Sequence, residues 1–405
     1  MLRLPPFKLL RPRTLAEAVR MLAEEGAAGA HQGPARAEGQ EVAAPLVRLV
    51  AGGTDLWPNM KRRHQQAAAV VSLMGVPELA GIRNGASGAA TGGSGGAVRP
   101  AVDAVDAAAA DAANLANVAN APADGSVRIG ATTLLDDVAR HPLVAGRYPA
   151  LATAVASISS PPLRNMGTLG GNLCVDTRCT YYNQTEEWRR SIDYCMKAEG
   201  SICWVATSSP RCWAHSASDS APMLCALGAS VRLASARGER VVPVADLYRD
   251  DGIDYLARRP DEILAEIELP AAAAAGRCRS AFWKLRRRGS IDFAVLSVAA
   301  AVWTDAAGDV SRAHLYLGAV GSAPVAAEAA ARLLVGQPLR ALAADQELLA
   351  AAGRLVRKVA TPMDNTDFQA QWRGVMAARY AEAALRELAG GERQRLAPRH
   401  PLPAA

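Results

Sequence analysis

No stretch of about 18 apolar residues runs without a charge in this sequence of 405 residues, so it offers no candidate membrane span. The opening MLRLPPFKLLRP puts prolines where a signal peptide needs its apolar run, and we expect a cytoplasmic chain. Aromatic residues are only 5% of the sequence, and much of the 50% hydrophobic content is alanine, so composition alone says little about the core. Neither GxGxxG nor GxxxxGK occurs, which removes the Rossmann and P-loop routes to a nucleotide. No CxxC pair is present, which excludes a zinc ribbon and the small-ferredoxin pattern. No Ser/His/Asp or Cys/His nucleophile pattern stands out, so no catalytic residue is assigned. The net charge of +6 is spread out, with dense basic runs only at 60–63 and 284–288, and nothing resembles a nucleic-acid module. The length fits two or three domains with a sizeable core.

Against that sparse background one segment, Thr168 to Leu227, is dense in reactive residues. It holds Cys174, Cys179, Cys195, Cys203, Cys212 and Cys225, leaving only Cys278 outside. In a reducing compartment, clustered cysteines are metal ligands more often than disulfides. Cys179, Cys195, Cys203 and Cys212 have 15, 7 and 8 residues between them. Spacing alone leaves three readings open: an iron–sulfur cluster, structural zinc, or unligated buried thiols. Cys174 and Cys225 sit in apolar contexts that suit small core residues. His215 reads as a surface residue or a support to the cysteines, not a ligand.

Two glycine turns precede the six clustered cysteines in the chain. Leu49-Val50-Ala51-Gly52-Gly53-Thr54-Asp55-Leu56 follows a short apolar strand, and Thr168-Leu169-Gly170-Gly171-Asn172 opens the cysteine-rich segment. Paired glycines let backbone amides approach an anion, and two such turns in one domain suggest a pyrophosphate. Neither turn clearly opens a helix, so the nucleotide would sit in a fold other than Rossmann. Elsewhere Thr14 and Glu17 form a capping box for a helix that Gly26 should end. Residues 27–44 and 85–125 read as low-complexity surface insertions, and Thr133 as a helix cap. After Val231, alternating strands and then helices describe an α+β domain.

LVAGGTDL at 49–56, TLGGN at 168–172, SDSAP at 218–222 and the FWK…DFAVLSVA run at 282–299 together resemble the FAD-binding medium subunits of xanthine-oxidase-type molybdenum hydroxylases. In most of those subunits the acid of SD-x-AP follows GGN closely. Here 46 residues separate Asn172 from Asp219. With its NLC-x-DTRC lead-in, the insertion is similar to that of 4-hydroxybenzoyl-CoA reductase beta subunits, which carry an extra [4Fe–4S] cluster.

The resemblance implies an α+β fold: a two-subdomain FAD-binding PCMH-type (vanillyl-alcohol-oxidase-like) unit over residues 1–233, with the iron–sulfur insertion at 174–217. A C-terminal domain of the CO dehydrogenase flavoprotein type over 234–390 and a loose tail at 391–405 would follow. It also implies that residues 49–56 and 168–172 cradle the FAD pyrophosphate. Asp219 would bond the adenosine side, and Ile158, Leu264 and Lys284 would flank the isoalloxazine or ribityl chain. Cys179, Cys195, Cys203 and Cys212 would ligate the cluster, in a dry surround supplied by Trp188, Trp204 and Trp213. Partners would be a large molybdopterin subunit, a small [2Fe–2S] subunit and a low-potential donor such as ferredoxin. The reaction would be reductive dehydroxylation of 4-hydroxybenzoyl-CoA to benzoyl-CoA. The alternatives are a medium subunit of an N-heterocycle, aldehyde or CO oxidising enzyme, and a non-enzymatic domain stapled by zinc.

Overall fold

The computed structural model describes residues 2–29, 47–85, 125–274 and 277–393. The two low-complexity insertions and the tail fall almost entirely outside these ranges. The N-terminal unit is a three-stranded parallel sheet of β1 (Lys8–Leu10), β2 (Val47–Val50) and β3 (Ala69–Ser72), with β3 in the middle. Parallel strands need a crossover, and the helix Leu15–Gly29 lies between β1 and β2 in sequence, setting Ala18, Val19 and Leu22 against Val47, Ala69 and Val71. The helix start differs from the capping box in one detail. Glu17 N–H donates to Thr14 Oγ1 at 3.1 Å, but the Glu17 carboxylate accepts from Arg13 N–H at 2.7 Å, one residue early. Gly26 does not end the helix, because a glycine inside a helix costs only about 1 kcal/mol.

A five-stranded antiparallel sheet follows, made of β4 (Ile82–Asn84), β5 (Val127–Gly130), β6 (Ser230–Ser235), β7 (Gly238–Pro243) and β8 (Ile263–Leu269), in the order β4-β5-β8-β6-β7. The expected domain boundary after residue 233 falls inside β6, so the hydrogen-bonded ladder moves the division to between Leu269 and Cys278. Thr133 is not a helix cap either. Its hydroxyl donates to Gly81 O at 3.1 Å, and the helix starts at Leu135. Pro142 lacks the N–H that would continue this helix, so a second one, Pro142–Arg147, begins after His141.

The last unit is an antiparallel sheet of β9 (Cys278–Leu285), β10 (Leu296–Thr304), β11 (Val310–Gly318) and β12 (Val325–Ala326), ordered β12-β11-β10-β9. Strand parity divides its residues between two cores. Ala281, Trp283, Leu285, Val298, Ala300 and Val302 face the C-terminal helices Gln346–Val359 and Ala370–Leu388. Phe282, Ala299, Ala301 and Trp303 join the core of the five-stranded sheet. The two units therefore share a packed face and are not joined by a free linker. Lys284 has the parity of Phe282, which turns its ammonium toward the first unit.

Candidate functional site

The first glycine turn leaves β2 and runs into the short helix Leu56–Lys61. The second is itself the start of a helix, Leu169–Leu173, with Thr168 Oγ1 accepting from Gly171 N–H at 3.1 Å. Both turns therefore open helices, contrary to expectation. They also touch. A Cβ on Gly52 would lie 1.7 Å from Met166 O, and one on Gly170 would lie 2.7 Å from Ala131 Cβ, so only glycine permits these approaches. Among the described residues the N–H groups of Gly52, Gly53 and Thr54 have no hydrogen-bond partner. Unpaired amides on a half-buried loop suit a phosphate oxygen. Asn172 turns inward, and its Oδ1 accepts from Ser220 Oγ at 2.6 Å, from Ser218 Oγ at 3.1 Å and from Ser220 N–H at 3.2 Å. This side-chain oxygen braces the SDSAP turn.

Asp219 and Lys284 lie together. Lys284 Nζ donates to Asp219 Oδ2 at 2.7 Å and to Ser157 O at 3.1 Å, and the two side chains are only 4% and 2% exposed. Burial pushes the Asp219 carboxyl up and the Lys284 ammonium down, and each opposes the other's shift. Asp219 Oδ1 is buried with no partner among the described residues. The contact puts Asp219, expected on the adenosine side, directly beside Lys284, expected near the isoalloxazine or ribityl chain. Ile158 and Leu264 are buried in the core of the five-stranded sheet with Leu169 and Leu173. Nearby, Arg286 donates to Ser157 O at 2.9 Å and Arg164 to Ile158 O at 2.8 Å, so cations gather at this edge.

Cys179, Cys195, Cys203 and Cys212 form one buried group with Tyr182, Met196 and Ala214, and no disulfide joins them. Tight turns shape this group, with Tyr182 N–H, Ala198 N–H and Ala206 N–H donating to the carbonyls of Cys179, Cys195 and Cys203. Amides also reach the sulfurs. Ala214 N–H donates to Cys212 Sγ at 3.4 Å. Amides of Tyr181 and Tyr182 face Cys179, those of Lys197 and Ala198 face Cys195, and those of Val205, Ala206 and Trp213 face Cys203. The hydrogen bond between Cys203 and Cys212 lowers the first thiol and raises the second, while burial raises Cys179 to about 11. Among the described residues no three His, Cys, Asp or Glu side chains are arranged to hold a single ion. A four-iron cluster needs one thiolate per iron and no convergence of ligands on one atom. Trp204 and Trp213 pack on the thiols, but Trp188 stands outside, 37% exposed, which removes it from the expected surround.

The thiol segment is built into the fold and is not a peripheral excursion. Arg178 pairs with Asp55 of the first glycine loop, and Gln65 donates to Asp176 at 2.9 Å. Lys197 Nζ is buried against Asp176 at 2.7 Å, Thr177 Oγ1 at 2.8 Å and Gly252 O at 2.6 Å. His215 is buried, not at the surface, and burial lowers it to about 4. From the C-terminal unit, Asn365 donates to Trp213 O at 2.6 Å and accepts from Thr180 N–H at 2.8 Å. Sequence reasoning missed Arg178 and Lys197, whereas Arg286 lies in the basic run 284–288 noted above. The only available signal was charge beside a proposed ligand, as in Asp176-Thr177-Arg178-Cys179.

The chain matches the family described as the FAD binding domain in molybdopterin dehydrogenase over residues 5–119 and 110–272, and the CO dehydrogenase flavoprotein C-terminal domain over 280–388. It is 30% identical over 219 residues to the nicotinate dehydrogenase FAD-subunit of Eubacterium barkeri, covering 53% of this chain and 60% of the relative. It is 33% identical over 215 residues to the aldehyde oxidoreductase FAD-binding subunit PaoB of Escherichia coli, covering 51% of this chain and 65% of the relative. The carbon monoxide dehydrogenase medium chain of Afipia carboxidovorans is 25% identical over 93% of this chain and 96% of its own. The matches thus span less than two thirds of the first two relatives. In structure, carbon monoxide dehydrogenase from Hydrogenophaga pseudoflava superposes with a TM-score of 0.66 at 23% identity, over 95% of this chain and 97% of that one. The fold therefore agrees with the expected α+β arrangement. With both domain matches in sequence order and together spanning most of its length, the chain belongs to the FAD-binding subunit family of the molybdopterin dehydrogenases.

Proposed function

We propose that this chain is an electron-transfer subunit carrying FAD and one [4Fe–4S] cluster in a molybdenum hydroxylase-type complex, of the 4-hydroxybenzoyl-CoA reductase kind. The observation that carries the reading is the quartet of free, buried thiols, faced by backbone amides and tied through Arg178 to the flavin loop. Bound FAD would supply the conversion between two-electron and one-electron chemistry, and the cluster would move single electrons. The chain's own residues bind and orient. The unpaired amides of Gly52, Gly53 and Thr54 suit the diphosphate, and the unpartnered Asp219 Oδ1 suits a sugar hydroxyl. Lys284 holds that carboxylate in place, and Trp204 and Trp213 keep water from the sulfurs. Asp219 and Lys284 then serve one end of the flavin, and Ile158 and Leu264 form the apolar floor behind it. In this reading large molybdopterin and small [2Fe–2S] subunits complete the complex, a donor such as ferredoxin feeds it, and 4-hydroxybenzoyl-CoA is its substrate.

The second reading is favoured by the relatives themselves, whose names cite nicotinate, aldehyde and carbon monoxide. There the chain would pass electrons outward from such an oxidation and need no cluster. Anaerobic purification with iron, sulfide, zinc and flavin analysis separates the cases. About four irons and one FAD per chain support the first. Flavin without iron supports the second, and zinc without flavin contradicts both. Cys203→Ser should abolish iron uptake while the chain still takes up FAD at saturating concentration. Full retention of iron would overturn the ligand set.

A further inference from the structure

Arg178 stands where three parts of the molecule meet. Its guanidinium pairs with the Asp55 carboxylate, which Asn59 Nδ2 also approaches at 3.0 Å. It lies 4.7 Å from the centre of the Phe293 ring, in the C-terminal unit. Its backbone is clamped on both sides by His215, with N–H to O distances of 2.9 and 2.8 Å. The next residue in the chain is Cys179. The Nε atom of Arg178 is buried and has no partner among the described residues. The guanidinium is therefore held by Asp55, the Phe293 face and a weak 3.4 Å contact to Asn59 Oδ1, and by the position of its own backbone.

Asp55 adjoins Thr54, the last of the three unpaired amides of the flavin loop. A half-buried carboxylate at that point repels a diphosphate unless a cation cancels it. Arg178 pairs with it directly, ahead of the more weakly acting Lys197, and its place depends on where the backbone of Cys179 lies. Drawing Cys179 onto an iron, or releasing it, displaces the neighbour that neutralises the flavin loop.

We propose that Arg178 couples the two cofactor sites, so that filling the thiol quartet strengthens FAD binding and bound FAD strengthens retention of iron. This rests on the reading of the quartet as a cluster site. The reciprocity is required by linkage, since a coupling free energy acts equally in both directions. Arg178 is a positioning residue here, acting through Asp55 and Cys179 without touching reacting atoms.

The test uses the full chain, purified anaerobically and prepared with and without iron and sulfide, with FAD affinity measured by quenching of flavin fluorescence. The wild-type chain should bind FAD about 5- to 150-fold more tightly when iron-loaded, the usual span of such coupling. In Arg178→Gln that ratio should fall to about one, although both affinities drop. Asp55→Asn breaks the same contact from the other side and serves if Arg178→Gln does not fold. Arg178→Lys, which keeps the charge without the planar fork, should give an intermediate ratio. A purely structural role would weaken FAD equally in both forms and leave the wild-type ratio in the variants, which overturns the proposal. Equal affinity with and without iron in the wild type also overturns it. A chain that binds FAD but takes up no iron overturns the cluster reading itself, and the coupling with it.

Discussion

The glycine loops and the thiol segment lie side by side and are held by opposite means. The loops are backbone objects: glycines at 52 and 170 allow main chain to pass against main chain, and the groups offered outward are amides. The thiol segment is a side-chain object, with short turns whose sulfurs, tyrosines and tryptophans pack together and whose charges are paired inside. A backbone site fails when a Cβ is added. A side-chain site fails when a partner is removed. The two therefore differ in which changes they tolerate, and that difference can be measured.

The largest effect should come from Gly52→Ala. Its Cβ would fall 1.7 Å from Met166 O, a backbone atom that cannot turn aside, so one loop must move. We expect a loss of about 4 kcal/mol or more of stability, together with FAD retention, measured by denaturant unfolding and flavin content. Wild-type stability in that variant would break the distinction between the two regions. Next is the contact that joins the SDSAP turn to the C-terminal unit. Lys284→Met leaves Asp219 buried and unpaired, at a cost of roughly 3–5 kcal/mol, and adding Asp219→Leu should restore most of it. Unfolding curves of the single and double variants decide this.

His215 tests the thiol segment by pH. Its folded value of about 4 lies below the ordinary 6.5, so the unfolded chain takes up a proton that the folded chain refuses. Above pH 6.5 the group contributes nothing to the pH dependence. As pH falls from 6.5 toward 4, stability should drop by roughly 3 kcal/mol. His215→Asn should flatten that slope in acid unfolding curves, and an unchanged slope would assign it to other groups. The smallest effect belongs to Trp188→Ala. This ring stands outside the thiol group and meets Tyr181 at a tilt of 44°, with centroids 6.3 Å apart. We expect a melting change worth about 1 kcal/mol or less and no change in iron content.

Much of this was readable in the order of the residues. The two glycine motifs, the SDSAP turn and the FWK strand are local patterns, and each appears in the fold near where its pattern put it. The four cysteines stood out by density alone. What went astray was non-local. The boundary after residue 233 fell inside β6 because the change of pattern after Val231 is local, and only the ladder to β8 shows one sheet. Thr133 carries the signature of a cap, but the carbonyl of Gly81, 52 positions earlier, takes its hydroxyl.

The sequence by itself determined the backbone side of the site, because a glycine pair after a strand restricts the chain whatever surrounds it. It also determined which residues could face one another along β9, since alternation fixes that Lys284 and Phe282 share a face. Only the tertiary structure decided the pairings: Asp219 with Lys284, Asp55 with Arg178, and the four sulfurs with one another. Attraction between charges and packing of sulfurs depend on distance in space. That distance is set by how three sheets close on each other, not by the number of residues between the partners.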